Sequence, residues 1–331
     1  MTKNANFKRR VRSRAAKTGE SYTAALANIR SRSERTPTPE IRSLRLAVAQ
    51  SETCGDPRNG DALRHCGSEM RRLMREAHGA GARLMHFPEG AICSPDKRIL
   101  SILAPGEIGA SDWNRVQWEI LRTETDAIRQ LASELGLWIA FGSVHQLSQP
   151  HRPYNSLYII SDRGKLATRY DERMLSHTKI SYMYTPGSIP LTFVVDGVRF
   201  GCALGMEMHF PEIFLEYERL DVDCVLFSTT GGSSTDAAFA AEALGHAASN
   251  NYWVSFSAHS QSILTAPSGV AMPSGQWAAR CPADGRPSIA LADISINTEY
   301  LARPWRRLAR TGIYDPHRAD DDPRSRERNQ F

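Results

Sequence analysis

The chain has 331 residues, a hydrophobic fraction of 41% and six scattered cysteines without a Cys-x-x-Cys pair. That is enough apolar material for one large domain or two small ones, and the cysteines suit reduced thiols in a cytoplasmic protein rather than a disulfide framework. No run of about 18 apolar residues occurs and the basic N-terminus lacks an apolar signal core, so neither a membrane span nor a secretory leader is expected. The net charge of +5 is uneven: residues 1–35 carry ten Lys/Arg and two Asp/Glu, a net +8, which leaves −3 on the remainder.

In chain order, 6–16 and 20–32 read as two short helices broken at Thr18-Gly19, with Val11, Tyr22, Ala25, Leu26 and Ile29 as a thin apolar face. Such a face is too small to fold alone, and residues 1–35 form a basic extension able to bind a polyanion weakly. Thr36-Pro37-Thr38-Pro39 marks a linker over 36–43. From Leu44 strands and helices alternate: strand 44–49, helix 60–80, strand 84–87, helix 114–135, strand 137–142, and strands 157–160, 191–195 and 199–204. A helix from Pro211, strand 222–227, helix 236–250 and strands 253–257, 268–272 and 288–294 follow. This alternation predicts α/β layers over 44–314, and adjacent pairs such as 191–195 and 199–204 predict some antiparallel pairing. Residues 315–331 are polar and charged, as in a disordered or partner-draped tail.

Two segments carry the chemistry. Phe87-Pro88-Glu89-Gly90 closes the strand Arg83-Leu84-Met85-His86, and Met206-Glu207-Met208-His209-Phe210-Pro211-Glu212 closes the strand Val198–Leu204. In this order and at this distance they resemble the glutamate and nucleophile regions of the nitrilase superfamily of carbon–nitrogen hydrolases. Tyr154-Asn155-Ser156, Gly164-Lys165, Thr185-Pro186-Gly187, Gly245–Asn251 and the stretch Ala266–Gly275 resemble further family segments in the right order. The resemblance implies an α/β fold, a four-layer α-β-β-α sandwich, that pairs through helices into a homodimer and binds a small-molecule substrate or ligand. No cofactor and no metal are expected. The apolar residues Ile213, Phe214, Leu215 and Tyr217, together with the segment around Trp305, are the expected dimer contacts.

The family's reaction needs a thiolate to form a covalent intermediate, a carboxylate to move protons and a cation where the oxyanion develops. Glu89 fits the carboxylate. Counting back from Phe210 puts the thiol at position 205, which is Gly205, and the family lysine falls at Glu172 within Tyr170–Leu175. A register slip would offer Arg173 instead, but alternation turns it to the opposite side. The family's auxiliary glutamate falls at Gln146, and Glu207 and His209 are the further expected ligand-binding residues. His145 and His209 could join a metal site, but they lack a ligand spacing. Cys93 and Cys202 are the candidates for a relocated nucleophile. Converging carboxylates without the lysine require one pKa to rise or a cation to enter, which favours an ammonium- or guanidinium-bearing ligand.

Three functions follow. One is a homologue without thiol hydrolysis, a pseudoenzyme binding a small nitrogenous ligand. Another is an active hydrolase on amide-like bonds using carboxylate-activated water or a relocated cysteine. The third is a scaffold or nucleic-acid-associated protein acting through the basic N-terminus.

Overall fold

The computed structural model describes residues 43–230, 238–260, 266–296 and 302–327, together with Lys8 and Arg12. The expected helices at 6–16 and 20–32 and the linker therefore lie outside the described residues, and so does the scaffold reading that depends on them. Two six-stranded sheets form the core. The first takes β1 (Ser43–Gln50), β2 (Leu84–His86), β3 (Trp138–His145), β4 (Tyr154–Ile160), β5 (Leu166–Asp171) and β12 (Ser288–Ser295), in the order β12-β1-β2-β3-β4-β5. The second takes β6 (Thr192–Val195), β7 (Val198–Leu204), β8 (Cys224–Ser228), β9 (Trp253–Ser257), β10 (Gly269–Ala271) and β11 (Trp277–Arg280), in the order β11-β10-β9-β8-β7-β6. In each sheet, three neighbouring strands run parallel (β1-β2-β3 and β7-β8-β9) and the flanking pairs are antiparallel.

Three buried apolar clusters define the layers. Leu63, Met70, Leu73 and Met74 of α1 (Gly60–Gly79) and Leu121, Ile128 and Leu131 of α2 (Trp118–Leu135) pack on one face of the first sheet. Leu46, Val48, Leu157, Phe200, Leu226 and Val270 fill the space between the sheets. Ile213, Phe214 and Tyr217 of α3 (Pro211–Arg219) and Ala243 and Ala247 of α4 (Ala238–Asn250) cover the second sheet. The result is the α-β-β-α sandwich, and it follows from helices with one apolar stripe and strands apolar on both faces. No helix among the described residues is long and apolar enough to cross a membrane.

Of the expected dimer contacts, Leu215 is half-buried, while Ile213, Phe214 and Tyr217 are 2%, 0% and 0% exposed in their own core. Their spacing is that of a stripe facing the sheet beneath the helix. Trp305 and Leu308 of α5 (Ala302–Ala309) are exposed, as is Tyr314. The polar tail also has more structure than its composition suggests, with a 3-10 turn at Asp315–His317 and a one-turn helix α6 (Pro323–Arg326) capped by Asp322.

Between the sheets, a neutral polar tie sits at the end of β2. His86 is fully buried and its ring nitrogens lie 2.8 Å from Ser255 Oγ and 2.7 Å from Ser228 Oγ. Ser228 in turn donates to the Phe87 carbonyl at 3.0 Å. Burial pushes the imidazole down to about 3, so it stays neutral. This tie fixes the strand end from which Glu89 projects.

Candidate functional site

Glu89 leaves β2 through Phe87-Pro88 and is 3% exposed. Its carbonyl accepts from His259 Nε2 at 2.6 Å, which anchors the backbone. Its carboxylate accepts from the Thr230 backbone N–H at 3.1 Å and from Asn155 Nδ2 at 2.8 Å. Asn155 lies on β4, and its second amide hydrogen reaches Glu172 Oε2 at 2.5 Å, so one carboxamide ties the two carboxylates together. Glu172 follows β5 and is held by backbone bonds to Asn155 and Gly187.

The charge that balances this pair is Lys179. Its ammonium donates to Glu172 Oε2 at 2.8 Å and to Glu89 Oε1. Lys179 opens a π-helical turn, Lys179–Met183, in which Tyr184 N–H bonds the Lys179 carbonyl at 2.9 Å. Such turns carry one extra residue per turn and re-aim a side chain, here into the site. Burial alone would lower the ammonium pKa, but Glu172 and Glu89 outweigh it and hold it above its ordinary value. Burial pushes Glu172 the other way, with Lys179 pulling it down and Glu89 pushing it up; the net is a rise to about 8. The Oε1 atom of Glu172 is buried and has no hydrogen-bond partner.

Gly205 follows β7 with φ of 55°, a left-handed conformation that glycine takes without strain. A Cβ built there would lie 2.5 Å from Glu172 Oε1 and 2.8 Å from Lys179 Nζ. The room beside the turn is thus taken by the two side chains that face it. Glu89, Glu172 and Gly205 converge as the resemblance implies, and Lys179 and Asn155 complete the cluster. Glu89, Asn155 and Lys179 border a cavity of about 310 Å³ that Cys93, Tyr184 and Thr230 also line, with Glu172 and Gly205 packed behind them.

The other expected residues are elsewhere. Glu207 is buried but turned away from the cavity: it accepts from Tyr170 Oη and from the backbone N–H groups of Leu204, Arg173 and Met174. It holds the turn together instead of touching a ligand. His209 pairs with Glu242 at 2.8 Å and stacks on Phe239, and Gln146 lines a different cavity beside α2. Arg173 reaches Glu216 at 2.8 Å and Tyr170, on the far side from Glu89. Cys202 is buried between the sheets, and burial raises its thiol pKa. Cys93 lines the cavity, but its hydrogen bond with Cys54 and its burial both raise its pKa well above the ordinary value. Among the described residues no group of three or more His, Cys, Asp or Glu side chains is placed to hold a metal. Lys179 is the residue that sequence reasoning missed. One signal was available: only six of the 41 basic residues are lysine, and one of them follows the expected lysine position, 172, by seven residues.

The α-β-β-α sandwich has counterparts among known proteins. A family model described as carbon-nitrogen hydrolase matches residues 45–304, and the chain belongs to that family. Proteins described as hydrolases from two strains of Mycobacterium tuberculosis are 22% identical over 207 residues, covering 57% of this chain and 62% of theirs. The chain thus spans about three-fifths of the length of these curated relatives. Among solved structures, a cysteine-to-alanine variant of a Nesterenkonia amidase from the nitrilase superfamily is similar with a TM-score of 0.65 at 16% identity, over 83% of this chain and 99% of that one. A glutamate-to-glutamine variant of the Nesterenkonia amidase carries the acetamide moiety of fluoroacetamide on its active-site cysteine. It gives a TM-score of 0.63 at 16% identity, over 82% of this chain and 98% of that one. At such identities the likeness establishes the fold.

Proposed function

We propose that this chain is a carbon–nitrogen hydrolase homologue that has lost thiol-based hydrolysis and uses the Glu89 cavity to bind a small nitrogenous molecule. The observation that carries this reading is at Gly205. Gly205 stands where the resemblance puts the family thiol, and the space beside it is filled by Glu172 Oε1 and Lys179 Nζ. The two cysteines considered as relocated nucleophiles, Cys93 and Cys202, are poor substitutes, since a thiol whose pKa is raised is a poor source of thiolate.

The same geometry narrows the ligand. Two carboxylates without a lysine would ask for a cationic ligand, but Lys179 already supplies the cation from within the chain. With Glu172 drawn toward its protonated form by burial, the cluster is close to neutral, which suits a neutral amide-like group better than an ammonium. Such a group brings a carbonyl for Lys179 and N–H donors for Glu89.

One observation favours a second reading, an enzyme in which the carboxylates activate water. A carboxyl kept protonated beside one paired with lysine has the division of labour of an acid and a base. Turnover of acetamide and propionamide separates the readings. Background turnover is expected with and without iodoacetamide. Iodoacetamide-sensitive turnover that disappears in Cys93→Ala would establish a relocated thiol. Turnover insensitive to iodoacetamide but lost in Glu89→Gln would establish the water enzyme. The simplest reconstruction is Gly205→Cys with Glu172→Ala, which frees the space and leaves Lys179 as the cation. It is expected to be alkylated by iodoacetamide at position 205 faster than the parent is at any cysteine.

A further inference from the structure

On the opposite face of the first sheet, between α2 and strands β3 and β4, lies a second cavity of about 400 Å³. This is within the range of small-molecule sites. Trp118, Leu121 and Val144 give it an apolar wall, and Arg122, Arg129 and Tyr158 bring polar groups to its edge. None of these residues serves the Glu89 cluster.

A chain of hydrogen bonds fixes which way the phenol of Tyr158 can act. Asp171 accepts from Ser156 Oγ at 2.6 Å and from Arg169 at 2.7 and 3.0 Å. The remaining Arg169 nitrogen, Nη1, lies 2.6 Å from His145 Nε2. A guanidinium has no lone pair to offer, so Nε2 is the acceptor and the neutral imidazole carries its hydrogen on Nδ1. Nδ1 lies 2.7 Å from Tyr158 Oη and donates to it. The phenol's own hydrogen is then left for another acceptor, and among the described residues it has none. Burial and the Arg169 charge lower the His145 pKa, and burial pushes Tyr158 up to about 12; both are consistent with these protonation states.

The charge at the rim is net positive, with Arg122 and Arg129 against one carboxylate, Asp126. Arg129 is tied to Asp126 at 2.8 Å and to the Gly164 carbonyl. Arg122 is exposed and has no ion pair among the described residues. The cavity therefore presents one unneutralised guanidinium and one oriented O–H beside an indole and aliphatic side chains. We propose that it is a second binding site, for a small carboxylate with a planar or aliphatic apolar body. The carboxylate accepts from Tyr158 and pairs with Arg122, and the body lies against Trp118 and Leu121. Successive residues of the same strands face the two cavities: Asn155 and Glu172 belong to the first, Ser156 and Asp171 to the relay. A ligand here does not touch Glu89.

Calorimetric titration of the full chain with phenylacetate, and with 2-phenylethanol as its uncharged counterpart, tests this. Saturable binding of phenylacetate is expected. Arg122→Ala and Tyr158→Phe should each weaken it about tenfold, the usual scale for one hydrogen bond to a charged group. Arg122 is exposed, so its variant reports on binding without threatening the fold. 2-Phenylethanol should bind at least about tenfold more weakly, and Glu89→Gln should leave the phenylacetate affinity unchanged. The proposal is overturned by an absence of saturable phenylacetate binding, by equal affinity in Arg122→Ala and Tyr158→Phe, or by equal binding of the alcohol. It is also overturned if Glu89→Gln changes the affinity, because the ligand would then sit in the first cavity.

Discussion

Glu207 and Glu172 are both buried glutamates, 0% and 1% exposed, on the two sheets that meet at the site. Glu207 is saturated: three backbone N–H groups and the Tyr170 hydroxyl converge on its oxygens. Glu172 shares its Oε2 with Asn155 and Lys179, while its Oε1 has nothing. A buried charge with every lone pair used is a structural anchor. One with a bare oxygen facing Gly205, within the cluster, is held there at a cost to the fold. The comparison assigns Glu207 to the architecture of the turn and Glu172 to the site, although the sequence groups them alike.

The largest expected effect tests the anchor. Glu207→Ala removes the acceptor for Leu204, Arg173 and Met174 N–H and for Tyr170, and each orphaned buried donor costs about 1–3 kcal/mol. A loss of about 4 kcal/mol or more in urea unfolding is expected, with the turn at Gly205 disordered. If the protein tolerates the change with a loss below about 1 kcal/mol, Glu207 is not what holds the turn. Next in size is Lys179→Met, which leaves Glu89 and Glu172 sharing Asn155 without a cation. Breaking a buried ion pair from one side costs about 3–5 kcal/mol, discounted here because the Glu172 carboxyl can protonate. A loss of about 2–3 kcal/mol at pH 8, shrinking as the pH is lowered toward 5, is the expected outcome in denaturant titrations.

The sandwich was legible because strand and helix periods are local: α1 is expected at 60–80 and observed at Gly60–Gly79, and β9 is found where its apolar run predicts. Glu89 and Gly205 were legible because each sits one turn after a strand, at a fixed count from Phe-Pro. Lys179 was not, since it arrives through an irregular π-turn that has no periodic signature. Gln146 failed for a different reason. It lies just past the end of β3, where a shift of one residue exchanges the two faces of a strand, and it belongs to the cavity beside α2. In the 3-10 turn Gly205–His209, Glu207 points inward and His209 outward, a division that depends on backbone geometry rather than residue type.

The smallest effect has the opposite sign and sharpens the comparison most. Glu172→Gln keeps the shape and one hydrogen bond to Asn155 or Lys179 while removing the charge that burial disfavours. The folded carboxyl titrates near 8 against an ordinary value of 4.5, so between these values the native state holds a proton that the unfolded chain has released. Stability from this group is therefore lost as the pH rises from about 4.5 through about 8, and the loss is complete above that. At pH 8 the variant should be more stable than the parent, and below about pH 5 the two should converge. The corresponding change at the anchor, Glu207→Gln, should destabilise throughout this range, because an amide cannot accept with both ends from the four donors that surround it. Parallel urea titrations at pH 5 and pH 8 give both numbers. If Glu172→Gln is destabilising at pH 8 by as much as Glu207→Gln, the bare oxygen carries no cost and the distinction between site and anchor fails.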